Sequence, residues 1–196
     1  MPFNRLRLLG CLLIVALLNA CATRPVVDYS VNARQHQQQL AQLQDWRING
    51  KLAYKGEKER FSATLNWQQQ DGDYSLGLSS FIGTRILTLQ KSHQLISLEY
   101  EDRTYQHHDA SALLYELTGW AIPVEQIPAW LKGQVLPDNQ AIFSDNGLLQ
   151  QIRTPQGWQV NLSDYRQTAH YILPYQLELK TPSDQIKIRV DKWQVN

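Results

Sequence analysis

The chain has 196 residues, with 19 lysines and arginines against 18 aspartates and glutamates, and 43% of it is hydrophobic. So even a balance supplies no basic excess to hold nucleic acid and no acidic tail, while the length suits one domain with a sizeable core. The two cysteines, Cys11 and Cys21, both lie near the N-terminus, so the rest of the chain has no disulfide, thiolate nucleophile or cysteine metal site.

Arg5 and Arg7 form a positive start, and an apolar run from Leu8 to Leu18 follows. That run is about 11 residues, too short to cross a hydrocarbon core of about 30 Å as a helix. It reads as a secretory signal covering residues 1–20. The tetrapeptide Leu18-Asn19-Ala20-Cys21 resembles a bacterial lipoprotein box, in which the cysteine becomes the acylated first residue of the mature chain. The alternative is an ordinary secretory signal that ends near a cysteine. On the lipobox reading Cys21 carries the lipid anchor, and several acyl chains hold a protein to a membrane durably where one does not. Ala22, rather than Asp, follows the cysteine, which points to the outer membrane of a Gram-negative cell. Loss of residues 1–20 removes Arg5 and Arg7 and no acid, taking the formal charge from +1 to about −1.

Residues 21–31, with Pro25 and no periodicity, are expected to tether the lipid to a single domain over 32–196. Asn32 can cap a helix reaching Trp46 or ending slightly before it, with Ala33, Leu40 and Leu43 on one narrow face. The period then changes to two. Trp46, Ile48, Leu52 and Tyr54 alternate with polar residues, as do Phe61, Ala63, Leu65 and Trp67, then Tyr74, Leu76 and Leu78. Lys55-Gly56-Glu57 and Asp71-Gly72-Asp73 supply the turns of a three-stranded antiparallel meander. Arg85 to Gln90, Gln94 to Glu101 and Arg103 to His107 continue it.

Asp109 can cap a helix with Ala110, Leu113, Leu114 and Leu117 on one stripe, closed by Gly119. Pro123 can open a second, with Ile127, Trp130 and Leu131, closed by Gly133. Gln134 to Asn146 reads as loop with weak strand character at Ala141 to Phe143. Strands return around Leu148 to Ile152, Trp158 to Leu162, Ile172-Leu173, Leu177 to Leu179, and Ile186 to Val190, where Lys187 and Arg189 face out. Ten or eleven short strands with helices inserted past the midpoint predict a mainly β fold: a strongly curved antiparallel sheet closing toward a barrel, its helices lying over the mouth as a lid. A barrel of that size has room for a ligand.

No catalytic motif appears in the sequence, although a carboxylate pair distant along the chain would leave no motif. There is no phosphate-binding glycine motif, no GxSxG elbow and no HExxH. His107 and His108 on a strand would point to opposite faces, a poor chelating geometry. All five histidines, His36, His93, His107, His108 and His170, read as surface or edge residues, and neither a metal nor a cofactor is expected.

One stretch breaks pattern. Ser79-Ser80-Phe81-Ile82-Gly83-Thr84 falls between two strands, with Gly83 marking a turn and Phe81 and Ile82 near its tip. Leaving such side chains in water forgoes about 1.5–3 kcal/mol each. Either both fold back into the core, or Phe81, Ile82 and Gly83 form an apolar finger that meets lipid or a partner.

That turn (Phe81-Ile82-Gly83-Thr84-Arg85), the lipobox, Ala129-Trp130-Leu131-Lys132-Gly133 before Leu136-Pro137, and the closing run from Leu177 to Trp193 together resemble the LolB family, the outer-membrane lipoprotein receptors of Gram-negative bacteria. The resemblance implies an unclosed antiparallel β-barrel with a helical lid over a hydrophobic cavity. It implies a monomer at the periplasmic face of the outer membrane, which takes lipoproteins from the periplasmic carrier LolA and inserts them into the bilayer without an energy source. The family carries an apolar residue, usually leucine, on a loop after the third strand. Ile82 holds the matching position here.

Acyl chains exposed to water cost about 0.8 kcal/mol per methylene, so such a cavity is expected to be walled by the inward strand residues. The candidates are Trp46, Ile48, Leu52, Phe61, Leu65, Trp67, Leu76, Leu78, Ile186 and Ile188. Three other classes remain open: a lipocalin-like binder of a small apolar ligand, an envelope enzyme with polar groups converging in the hollow, and a purely structural lipoprotein with a solid interior.

Overall fold

A computed structural model describes residues 28–195, so the signal and Cys21 lie outside the described residues. One helix comes first, α1 (Ala33–Gln42). Six strands follow: β1 (Trp46–Lys55), β2 (Arg60–Gln70), β3 (Asp73–Ser79), β4 (Arg85–Ser92), β5 (Leu95–Tyr100) and β6 (Arg103–His107). Two helices, α2 (Ala110–Thr118) and α3 (Ile127–Lys132), precede β7 (Gln140–Phe143), β8 (Leu149–Arg153), β9 (Gln159–Thr168), β10 (Tyr171–Lys180) and β11 (Gln185–Val195).

The eleven strands make one antiparallel sheet in the order β6-β5-β4-β3-β2-β1-β11-β10-β9-β8-β7. Hairpins build each half, and the pairing of β1 with β11 joins them, placing Leu52 opposite Ile188 and Ile48 opposite Trp193. The sheet does not close. Its free edges are β6 and β7, short strands of 5 and 4 residues, which limits the unpaired backbone they expose. The chain between those two edges is the segment that carries α2 and α3, so the lid is also the connection across the open seam.

Alternation sets the faces. The strict in-out burial along β1 places Trp46, Ile48, Leu52 and Tyr54 inward and Arg47, Lys51 and Lys55 outward. Asn32 caps α1 by accepting a hydrogen bond from the Gln35 amide at 3.1 Å. Asp109 caps α2 in the same way through the Ala112 amide at 2.9 Å. Gly119 and Gly133 end α2 and α3 in the left-handed conformation that glycine adopts freely. Of the two ends expected for α1, the structure takes the earlier: the helix stops at Gln42, because Trp46 is already paired across strands with Val195 and Gln69. Likewise α3 starts at Ile127 rather than at Pro123.

Residues 28–31 are bound to the barrel: the Val31 amide donates to the Asn146 carbonyl at 2.9 Å, and Tyr29 Oη accepts from the Gln167 amide at 3.1 Å. No helix among the described residues is long and apolar enough to cross a membrane.

Candidate functional site

Nine of the ten predicted wall residues are buried, and Phe61 is half-buried against them. They belong to one continuous apolar cluster. The lid contributes Leu113, Leu114, Trp120, Ile122, Val124, Ile127, Trp130 and Leu131 to the same cluster. The expected hollow is therefore closed in this structure, with lid side chains packed against the inner face of the sheet.

The interior is graded along the strands. Trp46 lies 5.3 Å from Trp193 and 6.2 Å from Trp67, and Trp67 lies 5.9 Å from Tyr74 (ring centroids), an aromatic group at the end where β1 begins. At the other end Phe61 stacks on Trp120 at 4.1 Å and Tyr54 on Phe61 at 5.6 Å. Between them the surface is aliphatic: Leu52, Leu65, Leu78, Leu87, Leu177 and Ile188. Sequence reasoning missed Leu87, Leu89 and Leu98 as wall residues, although the alternation of β4 and β5 holds the signal. Trp120, Ile122 and Val124 lie in an irregular segment that has no periodicity to detect.

Polar anchors hold the lid and the ends. Trp120 Nε1 donates to Glu59 at 3.0 Å, and Tyr54 Oη donates to Asp184 at 2.7 Å. Burial, reinforced by that carboxylate, pushes the Tyr54 phenol up to about 12. Glu125 accepts from the Ala110 amide at 2.7 Å and the Ser111 amide at 3.1 Å, tying the start of α2 to the approach to α3. Lys132 is buried and donates to the Leu43 carbonyl at 2.8 Å; desolvation holds its ammonium below the usual lysine range.

The reading of all five histidines as surface or edge residues needs correction at His36. It is buried beneath α1, with Nε2 2.9 Å from the Ile172 carbonyl oxygen. The amphipathic face of α1, read as Ala33, Leu40 and Leu43, also includes it. His93, His107, His108 and His170 are exposed. Among the described residues no group of histidine, aspartate and glutamate side chains is placed to hold a metal ion.

The loop after β3 takes the exposed alternative. Phe81 is 94% and Ile82 74% exposed. The turn that carries them is well braced: the Ser80 amide donates to the Thr84 carbonyl at 2.7 Å, the Gly83 amide to the Ser80 carbonyl at 3.0 Å, and the Thr84 amide to Ser80 Oγ at 3.1 Å. Gly83 sits at φ +89°, where a side chain would be strained. Arg85, just beyond, forks onto Glu99 at 3.1 and 3.2 Å. Two large apolar side chains thus stand in solvent on a preorganised turn. Beside Phe81 an open groove of about 550 Å³ runs across the outer face of β2, β1, β11, β10 and β9, walled by polar residues that include Lys51, Thr64, Glu178, Lys187 and Arg189.

A wide antiparallel sheet left open along one seam, wrapped round an apolar interior and lidded by the chain that bridges its edges, defines an unclosed β-barrel with a helical lid. A solved LolA superfamily protein from Nitrosomonas europaea superposes with a TM-score of 0.51 at 5% identity, covering 85% of this chain and 94% of that one. A DUF1329 family protein from Desulfovibrio piger superposes with a TM-score of 0.52 at 8% identity, over 82% and 89%. At such identities the likeness is one of fold alone.

Sequence comparison is more specific. The model of the family described as outer membrane lipoprotein LolB matches residues 44–193. The outer-membrane lipoprotein LolB of Aeromonas hydrophila is 41% identical over 194 residues, 97% of this chain and 96% of its own length. That of Tolumonas auensis is 33% identical over 194 residues, 98% and 97%. The chain belongs to the LolB family.

Proposed function

We propose that this protein is a monomeric receptor, anchored through a lipid on Cys21 to the periplasmic face of the outer membrane, which accepts lipoproteins from LolA and inserts them into the bilayer. Family membership supports the lipoprotein role and the outer membrane. The observation that carries the delivery step is the tip at Phe81 and Ile82: two apolar side chains held in water on a rigid turn. An exposure of that size is unfavourable unless something apolar covers it, and a bilayer next to the anchor does so.

The interior supplies the other half. Acyl chains arriving from a carrier need an apolar surface. The lid's Ile122, Val124, Ile127 and Trp130 meet the sheet through apolar contact, and Trp120 adds one hydrogen bond, to Glu59. Cargo chains can replace them with little loss of polar pairing, and the displaced lid then swings outward. Transfer runs downhill, because a bilayer hides hydrocarbon more fully than a partly open barrel. The step requires neither cofactor nor catalysis. Anchoring beside the destination raises the effective concentration of receptor at the membrane.

The test is transfer from purified carrier–lipoprotein complex to outer-membrane vesicles. Ile82→Glu is expected to accept cargo as the wild type does but to deliver it at least tenfold more slowly, since a carboxylate resists entry into hydrocarbon. Normal delivery by that variant would remove the finger from the mechanism. A wild type that binds a small apolar probe yet accepts no lipoprotein would favour the lipocalin-like alternative.

A further inference from the structure

The interior is not uniformly apolar. Among the described residues, the buried polar side-chain atoms with no hydrogen-bond partner are His36 Nδ1, Trp67 Nε1, Gln69 Oε1, Tyr74 Oη and Trp130 Nε1. Of these, Trp67, Gln69 and Tyr74 belong to one region; His36 already spends its other nitrogen on Ile172, and Trp130 belongs to the same apolar cluster from α3. Gln69 is the register partner of Tyr74 across the β2–β3 pair. Trp67 is two residues from Gln69 on the same face, its ring 5.9 Å from that of Tyr74. Trp67, Tyr74 and Trp130 are 1%, 8% and 1% exposed.

Such orphans are costly, and several other rings of this core do find partners. Trp193 Nε1 donates to the Pro174 carbonyl at 3.2 Å, Trp120 Nε1 to Glu59, and Tyr165 Oη to the Leu149 carbonyl at 2.6 Å. The unpaired set sits at one end of the cavity wall, with the aliphatic stretch of Leu65, Leu78 and Leu52 beyond it. On its outer side Gln69 and Trp46 also line an open cleft of about 260 Å³, together with Glu125, Pro128, Ala129 and Lys132. Burial, with the negative charges of Glu125 and Asp109 nearby, raises the Tyr74 phenol, so it stays a donor at any physiological pH.

We infer that Trp67, Tyr74 and Gln69 form a subsite for the junction of a multiply acylated cysteine, the point where its ester- and amide-linked chains converge. This rests on the function proposed above and adds to it a polar recognition element. The chemistry matches group for group. The Trp67 indole N–H and the Tyr74 phenol can donate to two ester carbonyls, and the Gln69 oxygen can accept the amide N–H. The hydrocarbon tails would then run along the aliphatic wall, and the peptide would leave through the cleft beside Gln69. In the closed state the unmet pairs raise the energy of the empty receptor, which favours opening when cargo arrives.

Diester phospholipids share part of this chemistry, so the test separates the two sources. The mature protein is loaded with diphenylhexatriene, a hydrocarbon probe. Three competitors then displace it: a triacylated cysteine peptide, the same peptide with its carbonyls replaced by methylenes, and a diester phosphatidylethanolamine. The wild type is expected to prefer the carbonyl-bearing peptide to its methylene analogue by about tenfold or more, and also to prefer it to the phospholipid. Tyr74→Phe and Trp67→Phe are each expected to cut the first preference about fivefold, a ratio of two competitors in which any change in probe affinity cancels. Tyr74→Phe should also raise the thermal midpoint, because it removes an unpaired buried hydroxyl without changing shape. It is therefore the decisive variant should Trp67→Phe fold poorly. Equal affinity for the two peptides, a preference intact in Tyr74→Phe, or phospholipid binding as strong as lipopeptide binding would overturn the subsite. Failure of the probe to enter the wild type would instead overturn the lipid-binding reading beneath it.

Discussion

Single residues carry consequences that their types alone do not announce. Gly50 lies in the middle of β1, where glycine normally weakens a strand. Its place is set by a register shift between Asn49 and Gly50 opposite β11. A Cβ there would fall inside the van der Waals envelope of the Arg189 carbonyl oxygen, which is backbone and cannot swing away. Gly50→Ala is expected to cost about 1–3 kcal/mol through forced displacement of the central strand pair, read as a drop in the urea midpoint. Unchanged stability would show that β11 yields at no cost. The alternation through Ile48, Leu52 and Tyr54 was legible in the sequence, but the glycine requirement was not. Gly50 touches a residue 139 positions away, and only the pairing of β1 with β11 brings the two together.

At the scale of elements, α1 is the clearest case of a face that is more than apolar packing. His36 sits under it, held by the Ile172 carbonyl. Burial lowers its pKa below the ordinary 6.5, and the backbone hydrogen bond opposes that only in part. The unfolded chain therefore takes up the proton first as pH falls. Stability from this group is complete above about 6.5 and is lost as pH drops toward the folded value. Between about pH 7.5 and 5.5 the wild type is expected to lose more unfolding free energy than His36→Gln, measured by urea titration. Parallel losses would mean that the imidazole is solvated in the native state. The helix periodicity was readable, and so was its cap at Asn32. Which of its two expected ends it takes was not, because strand pairing of Trp46 outweighs the helical tendency of the residues before it. The segment between α2 and α3 was similarly opaque. Trp120, Ile122 and Val124 are buried by the sheet they cover, not by any periodic face of their own.

For the whole molecule, the arrangement of ends matters most. The described chain starts at Asp28, and Tyr29 and Val31 fasten it to the barrel at β9 and the β7–β8 turn. On the proposed reading Cys21 lies only seven residues before that point, a reach of at most about 25 Å when extended. The barrel would then stay close to its bilayer. Cys21→Ala is expected to release a soluble protein that still accepts lipoprotein from the carrier, checked by fractionation and by a handover assay in solution. Loss of handover would show that the anchor does more than localise. The sequence by itself determined the alternating strands, the turns between them, the caps of α1 and α2 and the oddity of an apolar turn tip, because each depends on neighbours within a few residues. The resemblance implied an open sheet, but only the tertiary structure decided that it opens between β6 and β7, that the intervening chain fills the seam, that Phe81 and Ile82 stand in solvent, and that Trp67 and Tyr74 are left without polar partners. Those outcomes depend on how curved strands and a lid share one interior, a balance of distant contacts that no local pattern encodes.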